Sequence, residues 1–460
     1  MARKKQDLSL EERLEQALVP EREQPYKVPE NWVWTQIQYA FEVTSSKRVF
    51  KEDWKSSGIP FYRTRELVLI SKNGYVKNEL FITEEMYELY KKNYGVPSIN
   101  DLLISGVGTI GVPYVVSDNE KFYFKDGNII WFKDKGVVNA QYIYYLYKSN
   151  FMTNQIYGLS SGTTVDTYTI NNAKKTVIPL PPLAEQQRIV DRIESLFEKL
   201  ERAKGLIQES LDSFEKRKAA ILHQAFSGEL TKKWREENGV GMESWETKFL
   251  INIAKIVSGY AFKGEDFGTD HEIPCVKITN VGVGIYQYDV TDDCLPISYL
   301  GEYKRFIINE QDILISLTRS FINNGLKVCI YPESRQALLN QRVALIRYNN
   351  FRYLFHYLRT DDVLNYVKEK SKTTNQPNLS IKDLEKLPIR LPSLHEQQEI
   401  VLILDSLFEK DQQAKVLCDL IDNIDLMKKS ILARAFRGEL GTNDPAEESA
   451  LELLREVLTR

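Results

Sequence analysis

LPPLAEQQRIVDRIESLFEK, Leu180–Lys199, decides the fold, because LPSLHEQQEIVLILDSLFEK stands at Leu391–Lys410. Both stretches run on to matching ends, ILHQAFSGEL at Ile221–Leu230 and ILARAFRGEL at Ile431–Leu440. The offset is 211 residues at Glu185/Glu396 and Phe197/Phe408, and 210 at Gly228/Gly438. One residue has therefore been lost inside an otherwise collinear helix. Apolar residues recur in a 4-3 pattern at Ile189, Ile193, Leu196, Leu200, Ala203, Ile207, Phe214 and Ile221, interrupted by Ser210 and Arg217. The second copy gives Ile400, Leu404, Leu407, Ala414, Leu417, Ile421, Ile424 and Ile431, interrupted by Asp411 and Lys428. Spacing near 3.5 predicts a coiled-coil seam. Pro179, Pro181 and Pro182, and Pro392 in the second copy, are expected to stop the preceding strand, and Gly228 and Gly438 to cap the last turns. A helix over about Ala184–Phe226 makes a rod of roughly 65 Å.

The repeat reaches beyond the helices. Ile59-Pro60 is answered by Ile273-Pro274, and Asn100–Ser105 by Gln311–Ser316. Asn139–Ile143 is answered by Asn350–Leu354, and Thr163-Thr164-Val165 by Thr374-Asn375-Gln376. Solenoids repeat at about 20–50 residues, so a period four times longer is a domain duplication. Short β-branched and aromatic runs predict strands at Ile99–Ile104, Val112–Val116, Gly127–Phe132, Ile273–Ile278, Ile313–Leu317 and Gln341–Arg347. Helices are expected at about Ala140–Tyr157 and Phe351–Ser371. The fold class is α+β: two tandem mixed α/β modules separated by two long helices. Those helices are expected to form an antiparallel coiled coil with pseudo-twofold symmetry.

No run approaches about 20 apolar residues, so no membrane span is expected. The N-terminus is charged, without the apolar core of a signal peptide, and a cytoplasmic location is expected. Cys275, Cys294, Cys329 and Cys418 are far apart and form no CxxC, which favours buried thiols over disulfides or a zinc site. The net charge of −3 argues against a generic nucleic-acid binder, but local charge differs. Eight basic and three acidic residues lie between Ser45 and Lys77, and seven and three between Tyr303 and Arg347.

Polar and basic loops fall between the strands of both modules. They single out Lys47, Arg48, Arg63, Thr64, Arg65, Thr163 and Thr164 in the first. The second offers Lys277, Thr318, Arg319, Ser320, Lys372, Thr373, Asn375 and Gln376. These are residue types that contact phosphates and base edges. Tyr62 and Tyr75 are interleaved with the first set. A polar loop by itself is usually just solvated surface, and recurrence in both modules is what favours a binding role.

Catalytic patterns are missing. Gly106-Val107-Gly108-Thr109-Ile110-Gly111 spells GxGxxG, but the strand-like Val112–Val116 follows where a pyrophosphate site needs a helix N-terminus. A glycine-rich β turn is expected there. No GxxxxGK[ST] or HExxH occurs, Glu246-Thr247-Lys248 lacks an upstream Pro-Asp pair, and His223, His271, His356 and His395 do not cluster. The expected catalytic set is none and the expected metal set is none.

Two modules, each followed by a helix of the form LPPLAEQQRIVDRIESLFEK…AFSGEL, resemble the specificity subunit of type I restriction–modification enzymes. Val28–Trp32 and Glu243-Ser244-Trp245 are similar to that family's module starts. The resemblance implies target-recognition domains at 26–179 and 240–390 and conserved helical regions at 180–239 and 391–440. Residues 1–25 would be a charged N-terminal extension and 441–460 a helical tail. It implies a non-catalytic subunit that reads a bipartite site in double-stranded DNA. Its partners would be two copies of a methyltransferase (modification) subunit and ATP-dependent translocase/nuclease restriction subunits. S-adenosylmethionine, ATP and Mg would sit on those partners, with no cofactor on this chain. A stand-alone DNA-binding scaffold and a protein-interaction scaffold that ignores DNA are the alternatives. Salt-dependent duplex binding separates the last from the others.

Overall fold

The computed structural model describes residues 9–160, 166–288, 294–322, 325–371, 378–408 and 412–459. The chain divides into two compact units, residues 1–206 with 419–460 and residues 207–418.

In the first unit a four-stranded antiparallel sheet has the order Glu42–Thr44, Ile129–Lys133, Leu102–Ser105, Pro113–Val115. Leu102–Ser105 is buried along its whole length because both faces of the sheet are covered. Side chains alternate between faces along a strand. Leu102 and Ile104 thus join the core under the helix Ala140–Tyr147, while Leu103 joins a second core with Trp131 and Phe124. A three-stranded sheet follows, with Ile59–Tyr62 between Phe81–Ile82 and a parallel neighbour, Tyr123–Phe124. Val33–Gln36 pairs antiparallel with Val177–Leu180 and closes the module.

The second unit repeats this plan. Its sheet runs Lys255–Ser258, Val343–Arg347, Ile313–Ser316, Val328–Ile330. Ile313 and Ile315 face one core and Leu314 the other. Ile273–Val276 lies between Cys294–Leu295 and a parallel Ala337–Leu339, and Glu246–Phe249 pairs with Pro388–Leu391. The duplication extends to backbone angles: Asn100 and Gln311, each before its strand, both have φ +71°. Cys275, Cys294 and Cys329 are buried free thiols.

Three details differ from expectation. Pro179 lies inside its strand rather than ending it, because a two-stranded sheet has an outer edge where a missing N–H costs nothing. The helix expected over Ala140–Tyr157 is two, Ala140–Tyr147 and Asn150–Ser160, and its counterpart is likewise Phe351–Leu358 and Asp361–Lys370. At the first break the Ser149 hydroxyl donates to the Leu146 carbonyl and accepts from the Met152 N–H. Residues 9–19, expected only as part of a charged extension, hold a short helix. Leu10–Ala17 is a helix with a Ser9/Glu12 capping box, and it packs on Ala450–Thr459, with Leu14 and Leu454 buried in one core.

The first long helix is unbroken from Leu183 to Ser227. The second is seen as Leu394–Phe408 and Gln412–Ala435. Within the first unit, Lys428 lies over Phe197 and pairs with Glu201, and Asp425 pairs with Lys204 at 3.5 Å. Position rises along one helix as it falls along the other, so the pairing is antiparallel. Within the second unit Lys218 lies over Phe408, and Leu222 and Phe226 share a core with Ile400 and Leu404. The seam is not uniformly buried. Ile193, Leu404 and Ile424 are buried, Leu196 and Leu200 are half-buried, and Leu407 is exposed. A two-stranded pair covers only one side of each seam residue, and at Ile193 and Leu404 a module core adds a further surface.

The EQQ motif ties each helix to its module. Trp32 Nε1–H donates to Glu185 Oε2 at 2.9 Å, and Trp245 Nε1–H donates to Glu396 Oε2 at 3.1 Å. A threonine hydroxyl donates to the other oxygen in each case, Thr442 at 3.3 Å and Thr231 at 2.7 Å. Gln186 and Gln397 each donate back to the carbonyl of the proline five residues earlier. Burial is the main influence on the Glu185 carboxyl and pushes it above the usual carboxylate range. Glu396 also pairs with Arg235 at 2.6 Å, where both side chains are buried.

Candidate nucleic-acid interface

The loops gathered at one end of each sheet are joined by backbone hydrogen bonds. In the first unit Gly106 N–H donates to Asn128 O, Tyr168 N–H to Gly106 O, and Lys125 N–H to Tyr62 O. In the second, Leu317 N–H donates to Arg342 O, Leu379 N–H to Leu317 O, and Asn340 N–H to Val276 O. Side chains tighten the first cluster. Ser45 and Ser46 hydroxyls donate to Ile129 O and Phe124 O, and Lys47 N–H donates to the Tyr123 hydroxyl. The main chain enters each cluster in the same way. Arg63 N–H donates to Glu66 Oε2 at 3.0 Å, and Lys277 N–H to Asn280 Oδ1 at 2.7 Å.

These contacts bring together Lys47, Arg48, Arg63, Thr64 and Arg65 in the first unit, and Lys277, Thr318, Arg319 and Ser320 in the second. The other six residues singled out, Thr163, Thr164, Lys372, Thr373, Asn375 and Gln376, lie outside the described residues. The flanking backbone places their neighbours beside the clusters, since Thr167 bridges to Val107 and Asn378 to Thr318.

Several of the cations are compensated. Arg48 pairs with Asp126 at 2.9 Å, Arg63 with Glu66 at 2.6 Å, and Arg65 with Glu79 at 3.6 Å. The Arg63 guanidinium, at both Nε and Nη2, grips Glu66, whose carboxyl stays below its usual range although burial alone would raise it. Arg63 therefore first serves to order its own loop. Lys47 is exposed, with its ammonium 5.3 Å from the Tyr94 ring centre. Lys277 is half-buried over Phe267 at 4.4 Å. Thr64 donates weakly to Asn128 O at 3.4 Å.

Two expectations are corrected. Ser320 is not a solvated loop residue, because its side chain is fully buried beneath the turn. Tyr62 stacks on Phe122 in the core, at 5.0 Å between ring centres, whereas Tyr75 is exposed. Lys125, Arg342 and Lys327 belong to the clusters and were not singled out. Asn128 and Arg342 each precede the equivalent central strand, so aligning the two halves one strand further would have marked this position. The GxGxxG run is the turn joining Leu102–Ser105 to the antiparallel Pro113–Val115, with Gly108 and Gly111 at positive φ. No helix begins there.

The comparisons with known proteins agree with this architecture. The sequence matches the type I restriction modification DNA specificity domain at residues 29–209 and again at 242–430. A putative type I restriction enzyme specificity subunit of Haemophilus influenzae is 37% identical over 171 residues, covering 37% of this chain and 40% of that one. The MjaVIII specificity subunit of Methanocaldococcus jannaschii is 29% identical over 66% of this chain and 71% of its own length. The Escherichia coli EcoKI specificity subunit is 26% identical over 68% of each. Two solved structures share the fold. One, from work on complex assembly and conformational transition of the type I R-M system, gives a TM-score of 0.67 at 19% identity, over 90% of this chain and 100% of that one. The HsdS subunit of Thermoanaerobacter tengcongensis gives 0.52 at 20% identity, over 90% and 99%. Two module matches, each spanning a loop cluster and running into the long helix that follows it, place the chain in the specificity-subunit family of type I restriction–modification systems, whose members are non-catalytic and serve DNA sequence recognition.

Proposed function

We propose that the two loop clusters read the two halves of a bipartite site in duplex DNA, one cluster per half. The observation that carries this reading is the duplication of the cluster itself. Four loop segments are joined by equivalent backbone hydrogen bonds in each unit, but their exposed side chains differ. A shared frame with different side chains suits two readers of different sequence. Phosphate contacts from lysine and arginine would set the register, and polar side chains at base edges would set the sequence. Thr163 and Thr164, and Lys372, Thr373, Asn375 and Gln376, would add further contacts.

The repeated helices would hold the clusters at a fixed spacing and offer two like surfaces to two copies of a methyltransferase subunit. S-adenosylmethionine chemistry would belong to that subunit, and ATP- and Mg-dependent restriction to a further one. No helix among the described residues is long and apolar enough to cross a membrane. Co-expression with the methyltransferase subunit, followed by mapping of methylated positions in host DNA, tests the reading. The expected motif has two specified halves around an unspecified spacer. Methylation at a single uninterrupted motif, or failure of the two chains to co-purify, would refute it.

A further inference from the structure

Gly108 and Arg319 occupy the same place in two related turns. Each lies three residues after the serine that ends its strand, Ser105 or Ser316. Both backbones are left-handed, with φ +78° at Gly108 and +50° at Arg319. In that region a Cβ crowds the main chain, which is why glycine is the usual occupant. The first unit uses glycine, and the second holds an exposed arginine in the strained conformation. Strain kept at one side chain, where the sister turn avoids it, points to a use for that side chain.

Val112 and Lys327 correspond in the same way. Ser105 N–H donates to Val112 O and Ser316 N–H to Lys327 O, both at 3.0 Å. Lys327 is only 7% exposed, and its ammonium donates to the Ile278 carbonyl at 2.6 Å. Among the described residues no carboxylate pairs with Lys327 or with Arg319. A buried ammonium without a counter-charge is costly. Burial, and then the nearby Arg319 charge, hold the Lys327 ammonium below its usual range. Ser320 lies between them in sequence. Its carbonyl accepts from Lys327 N–H at 2.8 Å, and its fully buried hydroxyl has no partner. Two adjacent uncompensated cations and an unmet hydroxyl call for an anion. In the first unit the arginines are already matched by Asp126, Glu66 and Glu79.

We propose that Arg319, with Lys327 and Ser320 behind it, forms a phosphodiester-binding subsite of the second unit that the first unit lacks. This rests on the DNA-reading function proposed above. Arg319 makes the contact, and Lys327 is a positioning residue that fixes the turn and adds to its positive field.

The test is anisotropy titration of the full chain on random-sequence duplex DNA over a salt series. Each phosphate contact contributes about one unit to the slope of log K against log salt. Arg319→Gly installs the first unit's residue at this backbone position, so the melting temperature should hold or rise while the slope falls by about one unit. Arg319→Gln, which keeps length and loses charge, should lose the same slope, and Arg319→Lys should keep it. Lys327→Met should weaken binding and Lys327→Arg should restore it. Arg455→Ala, removing a paired cation on the helix Ala450–Thr459 outside both clusters, should change the slope by well under one unit. An unchanged slope in both Arg319→Gly and Arg319→Gln would overturn the subsite and leave the DNA-reading proposal standing. A wild-type chain that binds no duplex at any salt would overturn both.

Discussion

Replacing Glu396 by alanine tests how the second long helix is fastened to its module. Glu396 is fully buried, and it accepts from Arg235 Nη1 at 2.6 Å, Thr231 Oγ1 at 2.7 Å and Trp245 Nε1 at 3.1 Å. Removing the carboxylate leaves the Arg235 guanidinium, itself 7% exposed, with the Thr231 hydroxyl and the Gly228 carbonyl as its only partners among the described residues. Stripping one partner from a buried ion pair costs about 3–5 kcal/mol, mostly through the uncompensated charge. The lost bonds from threonine and tryptophan act in the same direction but do not simply add. A chain of two units need not unfold in one step, so a local probe is required. Amide exchange of the helix Leu394–Phe408 reports its opening directly. At about 1.4 kcal/mol per factor of ten, Glu396→Ala should speed exchange there roughly a hundred- to several-thousand-fold. Glu396→Ala with Arg235→Met should recover most of the loss, because no buried charge is then left unpaired. Acceleration below about tenfold in the single variant, or no recovery in the double, would refute the claim that the buried pair anchors the helix.

Glu185 should behave differently, because burial raises its carboxyl above the ordinary value. Its folded-state affinity for a proton exceeds the unfolded one, so its contribution is fully present below the unfolded pKa and is lost as pH rises through the folded one. Glu185→Gln, which keeps the acceptor for Trp32, should therefore flatten the stability profile just above the usual carboxylate range, and a denaturation series over pH checks this. At the equivalent helix–module contact the second unit has His356 Nε2 3.0 Å from Asp405 Oδ1, where the first has the Tyr145 hydroxyl donating to Glu194. Burial lowers the His356 pKa despite Asp405, with Arg359 and Arg352 also opposing its charge. Its contribution is thus present above the unfolded histidine pKa and lost as pH falls through the folded one. Acid should loosen Phe351–Leu358 by amide exchange, and His356→Tyr should remove that pH dependence. Equal acid loosening in the variant would contradict the assignment.

The long helices were legible because their information is periodic and local. Ile189, Ile193 and the capping Gly228 sit where a 3.5 spacing and a following glycine place them. The duplication was legible from the same stretch, and it carried the strands, since Leu102–Ser105 and Ile313–Ser316 are apolar runs in register. The depth of burial along the seam was not. Leu407 fits the pattern yet is exposed, because burial depends on what a module lays over the helix. The loop clusters were half legible. Basic and polar composition marked Lys47, Arg63 and Arg319, but the partners that neutralise or bury them are distant in sequence. Asp126 lies 78 residues from Arg48, and Ile278 lies 49 from Lys327. Composition also drew Tyr62 into the candidate surface, although it alternates with core residues on its strand and packs on Phe122. The tie between Trp32 and Glu185 spans 153 residues, and no local pattern encodes it.

The central claim, that each cluster reads its own half-site, is tested most directly by exchange of one module. Residues 26–179 would be replaced by the first module of another family member, and methylated positions mapped in DNA from cells that also carry the methyltransferase subunit. The account predicts a new sequence in one half-site, with the other half and the spacer unchanged. Alteration of both halves would contradict it.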